Sequence, residues 1–179
     1  MQVTKRIILT LIRVWLGYIW VNSALGKVAS PVWTGNQRGT AVSGFLQGAL
    51  AQATGERPAV LGWYADFIRV VAMPNATFFS YLIPFGELLV GLALLLGALT
   101  TFAALMSAFM NLNFMLAGVA GINPVMYTLA IFVIVAGASA GYYGLDYFLL
   151  PRLRPYWHKI AGKAKRRSQY PTPQPGTRG

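Results

Sequence analysis

One acidic residue, Glu87, lies alone within a long apolar stretch of the sequence. The 179 residues include only four Asp and Glu, and no other charged residue occurs between Thr77 and Leu99. In a membrane helix that begins near Thr77, Glu87 lies about 15 Å from the start, at 1.5 Å per residue. A carboxylate in hydrocarbon must be paired, protonated or in contact with water. Glu87 is therefore either a proton-exchanging or ligand-binding group, or a structural carboxylate that joins two helices.

Two basic residues of the first apolar stretch are candidate partners for this carboxylate. Arg13 lies about 9 Å from the start of that stretch, and its guanidinium can reach inward to Glu87 or extend back to the lipid headgroups. We expect Arg13 to be the partner of Glu87. Lys27 follows the same stretch at its other end, where it either extends to the headgroups or attracts an external anion.

Asparagines at a similar depth extend the candidate site. Asn22, Asn111 and Asn113 fall in the middle or outer half of the apolar stretches. Asn111 and Asn113 are about 200° apart on a helix, so only one of them can face a given partner. We expect Asn111 to face Glu87, because the two match in estimated depth. The alternative role of each asparagine is an interhelical hydrogen bond, worth about 0.6 kcal/mol on average.

Composition excludes several other kinds of site. The chain has no cysteine, which excludes disulfides, thiolate metal sites, Cys-bound iron–sulfur clusters and a cysteine nucleophile. Its one histidine, His158, lies in a basic tail, so one chain cannot form a bis-His haem site. We therefore predict no bound metal or haem.

Four apolar segments must position these residues. They span residues 7–25, 77–99, 101–119 and 124–145, in a chain that is 56% hydrophobic and 11% charged. Soluble domains usually carry about 25% charged residues. The last three segments are joined by short connections and should pack as antiparallel neighbours. The sequence predicts an all-α fold, an integral membrane four-helix bundle over residues 1–150.

Charge predicts the orientation of the bundle. The net charge is +11, and eight of the basic residues follow Leu150, in a tail over residues 151–179 that we expect to be partly disordered. That distribution fits the positive-inside rule better than a nucleic-acid surface. We therefore expect no nucleic-acid partner, membrane lipids around the bundle, and both termini in the cytoplasm. A cleaved first segment is the alternative, and it would also leave the tail inside.

The segment between the first two spans is too long to be a simple connection. It covers residues 29–76 and would lie outside the cell. Two groups of apolar residues repeat there at helical spacing: Val42, Phe45, Leu46 and Ala49, and then Val60, Tyr64, Phe67 and Val71. They predict short amphipathic helices at the membrane surface or over the end of the bundle.

Several motifs resemble the DoxX/DoxD membrane family. Arg13, Gly17 and Lys27 are followed by the run from Gly86-Glu87 to Leu96-Gly97. The runs 62–67, 111–118 and 141–146 are more specifically similar to the thiosulfate:quinone oxidoreductase large subunit, the DoxD-like branch. The likeness covers about residues 5–150. One departure is the joint Leu99-Thr100-Thr101, where members of the family often have an arginine.

The resemblance implies a prokaryotic cell membrane protein linked to quinone and to thiosulfate oxidation. On that hypothesis quinone is a substrate, Glu87 exchanges the proton, and Arg13, Asn22, Lys27, Asn111 and Asn113 bind substrate or quinone. Whether the chain is itself an enzyme, a thiosulfate dehydrogenase (quinone) subunit, stays open. It would need a second redox or sulfur-metabolism subunit or direct thiosulfate–quinone chemistry. The alternatives are a non-catalytic membrane anchor or assembly subunit for a partner oxidoreductase and a small-solute transporter, and a homo-oligomer is possible.

Overall fold

The computed structural model describes residues 2–152, and every regular element in this range is helical. The six helices are α1 (Gln2–Val28), α2 (Thr40–Ala51), α3 (Gly62–Phe67), α4 (Ala76–Leu96), α5 (Thr100–Leu116) and α6 (Asn123–Ala136). A π-helical turn, Ile68–Ala72, continues α3, and a 3-10 turn, Gly137–Ser139, follows α6. Residues 146–152 are again helical. The all-α prediction is confirmed. The predicted basic tail lies outside the described residues from position 153 on.

Helices α1, α4, α5 and α6 are the long apolar helices, and they contact one another around a common core. Helix α1 runs antiparallel to α4, so that Gly17 lies against Gly91. A Cβ atom on Gly17 would lie 2.8 Å from the carbonyl oxygen of Gly91. The two backbones therefore touch, as small residues allow in membrane helix pairs.

The outer surface of these four helices is strongly apolar. Large exposed side chains occur on each of them, among them Leu11, Leu89, Phe109, Phe132 and Val135. Soluble monomers rarely expose such continuous apolar surface. By length and composition, α1 and α4 can each cross a membrane, whereas α5 and α6 are shorter apolar helices.

Residues 29–75 form what we call the cap, which covers one end of the four long helices. Its own core contains Val42, Leu46 and Ala49 of α2 together with Tyr64 and Ala65 of α3. The hydroxyl of Ser80 on α4 donates to the carbonyl oxygen of Trp33 at 2.5 Å and accepts from the amide of Gly39 at 3.0 Å. The first turns of α4 thus lie at the level of the cap.

The buried face of the second cap helix differs from the predicted one. Ile68 and Ala72 are buried there, whereas Phe67 and Val71 are exposed. The buried stripe Tyr64, Ile68 and Ala72 keeps a spacing of four residues, whereas the prediction stepped by three from Tyr64 to Phe67, because these three residues pack with α2 in the core of the cap. The second half of the stripe is the π-helical turn, with an i→i+5 hydrogen bond from the amide of Met73 to the carbonyl of Ile68 at 2.8 Å.

The end of the molecule opposite the cap differs from the predicted fourth segment. Helix α6 ends at Ala136 and does not continue to Leu145, because Gly137 adopts φ +54° and ψ −130°. The chain then turns and brings Asp146 to the start of α5. Its two carboxylate oxygens accept hydrogen bonds from the amides of Leu99 and Thr100 at 2.6 and 2.8 Å.

Candidate functional site

Glu87 is paired with Lys27, not with Arg13. The Nζ atom of Lys27 lies 2.6 Å from each carboxylate oxygen of Glu87. The hydroxyl of Ser23 donates to the same carboxylate at 3.1 Å and accepts from Lys27 at 2.8 Å. The side chain of Glu87 is 0% exposed and that of Lys27 is 21% exposed. The three side chains form a compact polar cluster in which the side chain of Lys27 is partly exposed and that of Glu87 is not.

Helical spacing explains how this cluster forms. Ser23 and Lys27 are four residues apart on α1, so their side chains lie on one face, one above the other. Glu87 belongs to the buried stripe of α4, with Ser80, Pro84 and Gly91. Because α1 and α4 are antiparallel neighbours, that stripe faces the Ser23–Lys27 face directly.

The cluster lies against a cavity of about 290 Å³ at the cap end of the four long helices. Trp20 and Ile19 of α1, Ile83 of α4, Phe114 of α5 and Met126 of α6 form much of its wall. The rest of the wall comes from the cap, from the α5–α6 connection and from the start of α6, through Trp33, Val42, Phe45, Val119, Ile122 and Asn123. This volume is close to the lower limit of ligand pockets, about 300 Å³. The walls are mostly apolar, and Ser23, Asn123 and the Lys27–Glu87 pair are the polar part of the lining.

Aromatic side chains give the cavity its shape. Trp20 stacks on Phe114 with ring centroids 6.5 Å apart, and Phe45 meets Phe114 edge to face at 6.0 Å. The indole N–H of Trp20 donates to the hydroxyl of Ser107 at 2.7 Å. The one polar atom of this aromatic wall is therefore bonded, and the packed rings give a flat ligand a defined surface to lie against.

Arg13 lies at the other end of α1 and has a different role. Its guanidinium donates to the carbonyl oxygens of Leu94 at 2.7 Å and Tyr143 at 3.1 Å. Arg13 and Lys27 are fourteen residues apart on one helix, about 21 Å. Glu87 therefore cannot contact both, and the predicted Arg13–Glu87 pair is wrong.

The three predicted asparagines do not line the cavity with Glu87. Asn22 is exposed on the outside of α1. Asn111 is fully buried, as expected from its depth, but its amide donates to the carbonyl of Ser107 at 3.0 Å. Its Oδ1 atom has no partner among residues 2–152. Asn113 accepts a hydrogen bond from the hydroxyl of Tyr64 at 3.1 Å and so joins α5 to the cap.

One protein family matches this chain. The model of the family described as "TQO small subunit DoxD" matches residues 8–163. The chain belongs to the DoxD family. The family description names the small subunit, whereas the resemblance in the sequence pointed to the large one. Searches of curated proteins and of solved structures give no match.

DoxD membership and the apolar helices together place this chain in a membrane. The match includes every residue of the cavity, from Ile19 to Met126. Four further polar or aromatic residues belong to this site of the DoxD chain although the sequence did not single them out as a group: Ser23, Trp20, Ser107 and Phe114. Ser23 had a usable signal, because it precedes Lys27 by one helical turn. The other three could be assigned only once the helices were placed side by side.

The cluster combines the two functions that proton-coupled chemistry needs. Lys27 supplies an ammonium with three donors, and Glu87 supplies two acceptor oxygens. Within the part of the chain that the structure describes, the hydrogen bonds of both groups go to side chains and not to backbone atoms. Within residues 2–152, no group of three or more His, Cys, Asp or Glu side chains could hold a metal ion.

Proposed function

We propose that this chain is a membrane-spanning subunit of a quinone-linked oxidoreductase, in which α1, α4, α5 and α6 cross the membrane as a bundle. The cap would lie outside the cell and both termini in the cytoplasm. One observation carries the quinone proposal: an ion pair, Lys27–Glu87, lies against an aromatic cavity within an apolar helical protein. The membership of the DoxD family supports the redox role, since its description names a TQO subunit.

A quinone head group suits the chemistry of this cavity. Its flat ring can lie against Trp20 and Phe114, and one ring oxygen can accept a hydrogen bond from Lys27. Reduction of a quinone takes up two electrons and two protons, and Glu87 is placed to pass one of these protons. The buried Oδ1 atom of Asn111 has no partner among residues 2–152 and could accept a hydrogen bond from a water molecule.

Thiosulfate is the electron donor that we propose for the complex. Two thiosulfate ions join through a new sulfur–sulfur bond and release the two electrons that the quinone accepts. Exposed Arg38, Arg57 and Arg69 of the cap would attract this dianion from outside. Because the chain has no cysteine, a Cys-bound redox centre in the complex would belong to a partner subunit.

The second candidate function is a membrane anchor that binds a soluble oxidoreductase through the cap. The observation that favours it is the exposed apolar surface of the cap beside α3. Trp63 is 62% exposed and Val70 is 75% exposed. An anchor of this kind would hold a partner without transferring electrons itself, although it could still contribute the wall of a quinone pocket.

A binding experiment tests the quinone site directly. Quinones quench indole fluorescence at short range, so a short-chain quinone analogue in the cavity should quench Trp20 and Trp33 of the purified protein in detergent. We expect Trp33→Phe to remove part of the quenching and Trp63→Phe, on the exposed cap surface, to leave it unchanged. Equal quenching in both variants would show that the analogue binds elsewhere.

An activity experiment separates the enzyme from the anchor. Thiosulfate-dependent reduction of the analogue would be followed with the purified chain alone and with the proteins that co-purify with it. We expect activity in the complex that Glu87→Gln lowers and that Glu56→Gln, on the exposed cap, does not. Full activity of the complex carrying Glu87→Gln would remove this carboxylate from the mechanism and favour the anchor.

A further inference from the structure

The cavity beside Glu87 is built from the cap side of the protein. Besides the long helices, its walls come from Trp33, α2 and the α5–α6 connection, all at the end that carries the cap. Lys27 is the only member of the ion pair with solvent exposure. The lining from α2, α5 and α6 contains no titratable side chain, so among the described residues Lys27 is the only charged group that faces Glu87.

The opposite side of Glu87 is closed by tight apolar packing. One turn further along α4, Gly91 lies against α1, and a Cβ atom there would lie 2.8 Å from the amide nitrogen of Val21. Below this contact, Leu16, Leu94 and Ala104 are 0% exposed and belong to one continuous core. Protein cores of this kind are packed as densely as organic crystals and leave few voids that hold water.

The same apolar layer, formed by Leu16, Leu94 and Ala104, also separates the buried polar side chains of α5 from one another. On the buried face of α5, the polar residues are Thr100, Ser107 and Asn111. Ser107 and Thr100 are seven residues apart, about 10 Å, with only alanines on the buried face between them. A hydrogen bond spans about 3 Å, so no direct relay joins the two hydroxyls.

Beyond the apolar layer lies the fixed positive charge of Arg13. The guanidinium is buried and bonded to backbone carbonyls of α4 and of the turn at Tyr143. A fixed buried cation repels protons and other cations, as an arginine does in selective channels. In the described part of the chain, the end away from the cap is therefore closed both by packing and by charge.

We propose that Glu87 and any ligand beside it exchange protons and solutes only with the cap side of the membrane. If the ligand is the quinone of the proposed function, the protons of quinone reduction come from that side. The accessibility itself does not depend on the ligand, so it can be tested separately.

Cysteine accessibility tests this proposal in a chain that has no cysteine of its own. Ser23→Cys and Asn123→Cys place a thiol at the cavity wall, in α1 and α6. Thr54→Cys in the exposed cap marks the cap side, and Thr101→Cys, exposed at the start of α5, marks the other side. Each single-cysteine protein would be exposed to a charged, membrane-impermeant thiol reagent added to one side of sealed vesicles.

We expect both cavity cysteines to react only from the side that modifies Thr54→Cys. Reaction from the Thr101→Cys side, alone or equally from both sides, would overturn the proposal. Two cavity positions are used so that a poorly folded variant does not decide the result. A cavity cysteine that reacts from neither side in the membrane, but reacts in detergent, would also overturn it, because the cavity would then be closed to the cap side.

Quinone binding gives a second readout on the unmodified chain. In vesicles whose two sides are held at different pH, quenching by the quinone analogue should respond to pH on the cap side only. A response to the other side would overturn the one-sided access. Complete absence of quenching would instead count against the proposed quinone site, while the cysteine result would still stand.

Discussion

The buried ion pair gives a prediction about stability that can be worked out in detail. Lys27→Met removes the ammonium that lies 2.6 Å from the Glu87 carboxylate and keeps an unbranched apolar side chain. The carboxylate, 0% exposed, would then have no opposite charge. Removing one partner of a buried ion pair typically costs about 3–5 kcal/mol.

Proton uptake by Glu87 sets the upper limit of this loss. At the 2.6 Å contact, the attraction amounts to about 6 kcal/mol for an effective dielectric constant of about 20. Neutralising an ordinary glutamate at pH 7 requires only about 4 kcal/mol, at about 1.4 kcal/mol per pH unit. We therefore expect the free energy of unfolding to fall by about 4 kcal/mol at pH 7 and by about 1 kcal/mol at pH 5.

The sign follows from proton linkage. The folded variant holds a proton on Glu87, whereas the unfolded chain binds that proton only in more acidic solution, so the penalty is present at neutral pH and disappears as the pH falls. Glu87→Gln should cost less than Lys27→Met, because the ammonium that it leaves is 21% exposed and can turn toward water.

Denaturant unfolding in detergent micelles, followed by tryptophan fluorescence at both pH values, measures these changes. Arg69→Met is the matched control, because Arg69 forms an exposed pair with Asp66, worth at most about 1 kcal/mol. The double variant Lys27→Met/Glu87→Gln should recover much of the loss. A loss independent of pH, or a double variant as unstable as Lys27→Met, would refute the reasoning.

Three further predictions concern other parts of the fold, and denaturant unfolding checks each of them. Asp146→Asn should lower the free energy of unfolding by about 1–3 kcal/mol, since the charged acceptor for the first amides of α5 is lost; Asp66→Asn, at an exposed pair, should change it by less than about 1 kcal/mol. Gly91→Ala should cost about 1–3 kcal/mol through the clash with α1, whereas Gly26→Ala, where a Cβ meets nothing, should be neutral or stabilising. Tyr64→Phe should cost about 1 kcal/mol; because burial raises the pKa of the Tyr64 phenol, the difference between the spectrophotometric titrations of the unmodified chain and of Tyr64→Phe should show this hydroxyl ionising at higher pH than an ordinary tyrosine. Full stability of Asp146→Asn or Gly91→Ala, or early ionisation of Tyr64, would contradict these assignments.

Much of the helical arrangement was predictable because helix length and composition are local properties. The predicted starts at Thr77 and Thr101 lie one residue from the observed starts of α4 and α5. The end of α6 was not predictable in this way. The stretch after Ala136 stays apolar and uncharged up to Leu145, and its departure from helix depends on the backbone of Gly137 and on the contact of Asp146 with α5.

The partner of Glu87 was mispredicted because depth was counted from the ends of apolar segments. That count assumes that every segment begins at the same membrane level. Helix α4 begins farther toward the cap than this assumption allows, since its first turns lie within the cap, where Ser80 is bonded to Trp33. Glu87 therefore lies near the cap end of α1, beside Lys27. Residue types indicated a buried charge pair, but which cation belonged to it depended on how far two antiparallel helices are offset.

Arg13 and Lys27, the two cations of α1 that bond to α4, differ in what their release would cost. Arg13 donates to backbone carbonyls, and moving it would leave the buried carbonyl of Leu94 in α4 and the partly buried carbonyl of Tyr143 without this donor, at about 1–3 kcal/mol for a buried acceptor. Among residues 2–152, Lys27 donates only to the side chains of Ser23 and Glu87, and a ligand in the adjoining cavity can replace either partner without disturbing a helix. A site that binds and releases a substrate needs a cation held by side chains, as Lys27 is. A fixed closure needs a cation held by backbone carbonyls, as Arg13 is. The difference in bonding therefore supports placing the chemistry at Lys27 and the closure at Arg13.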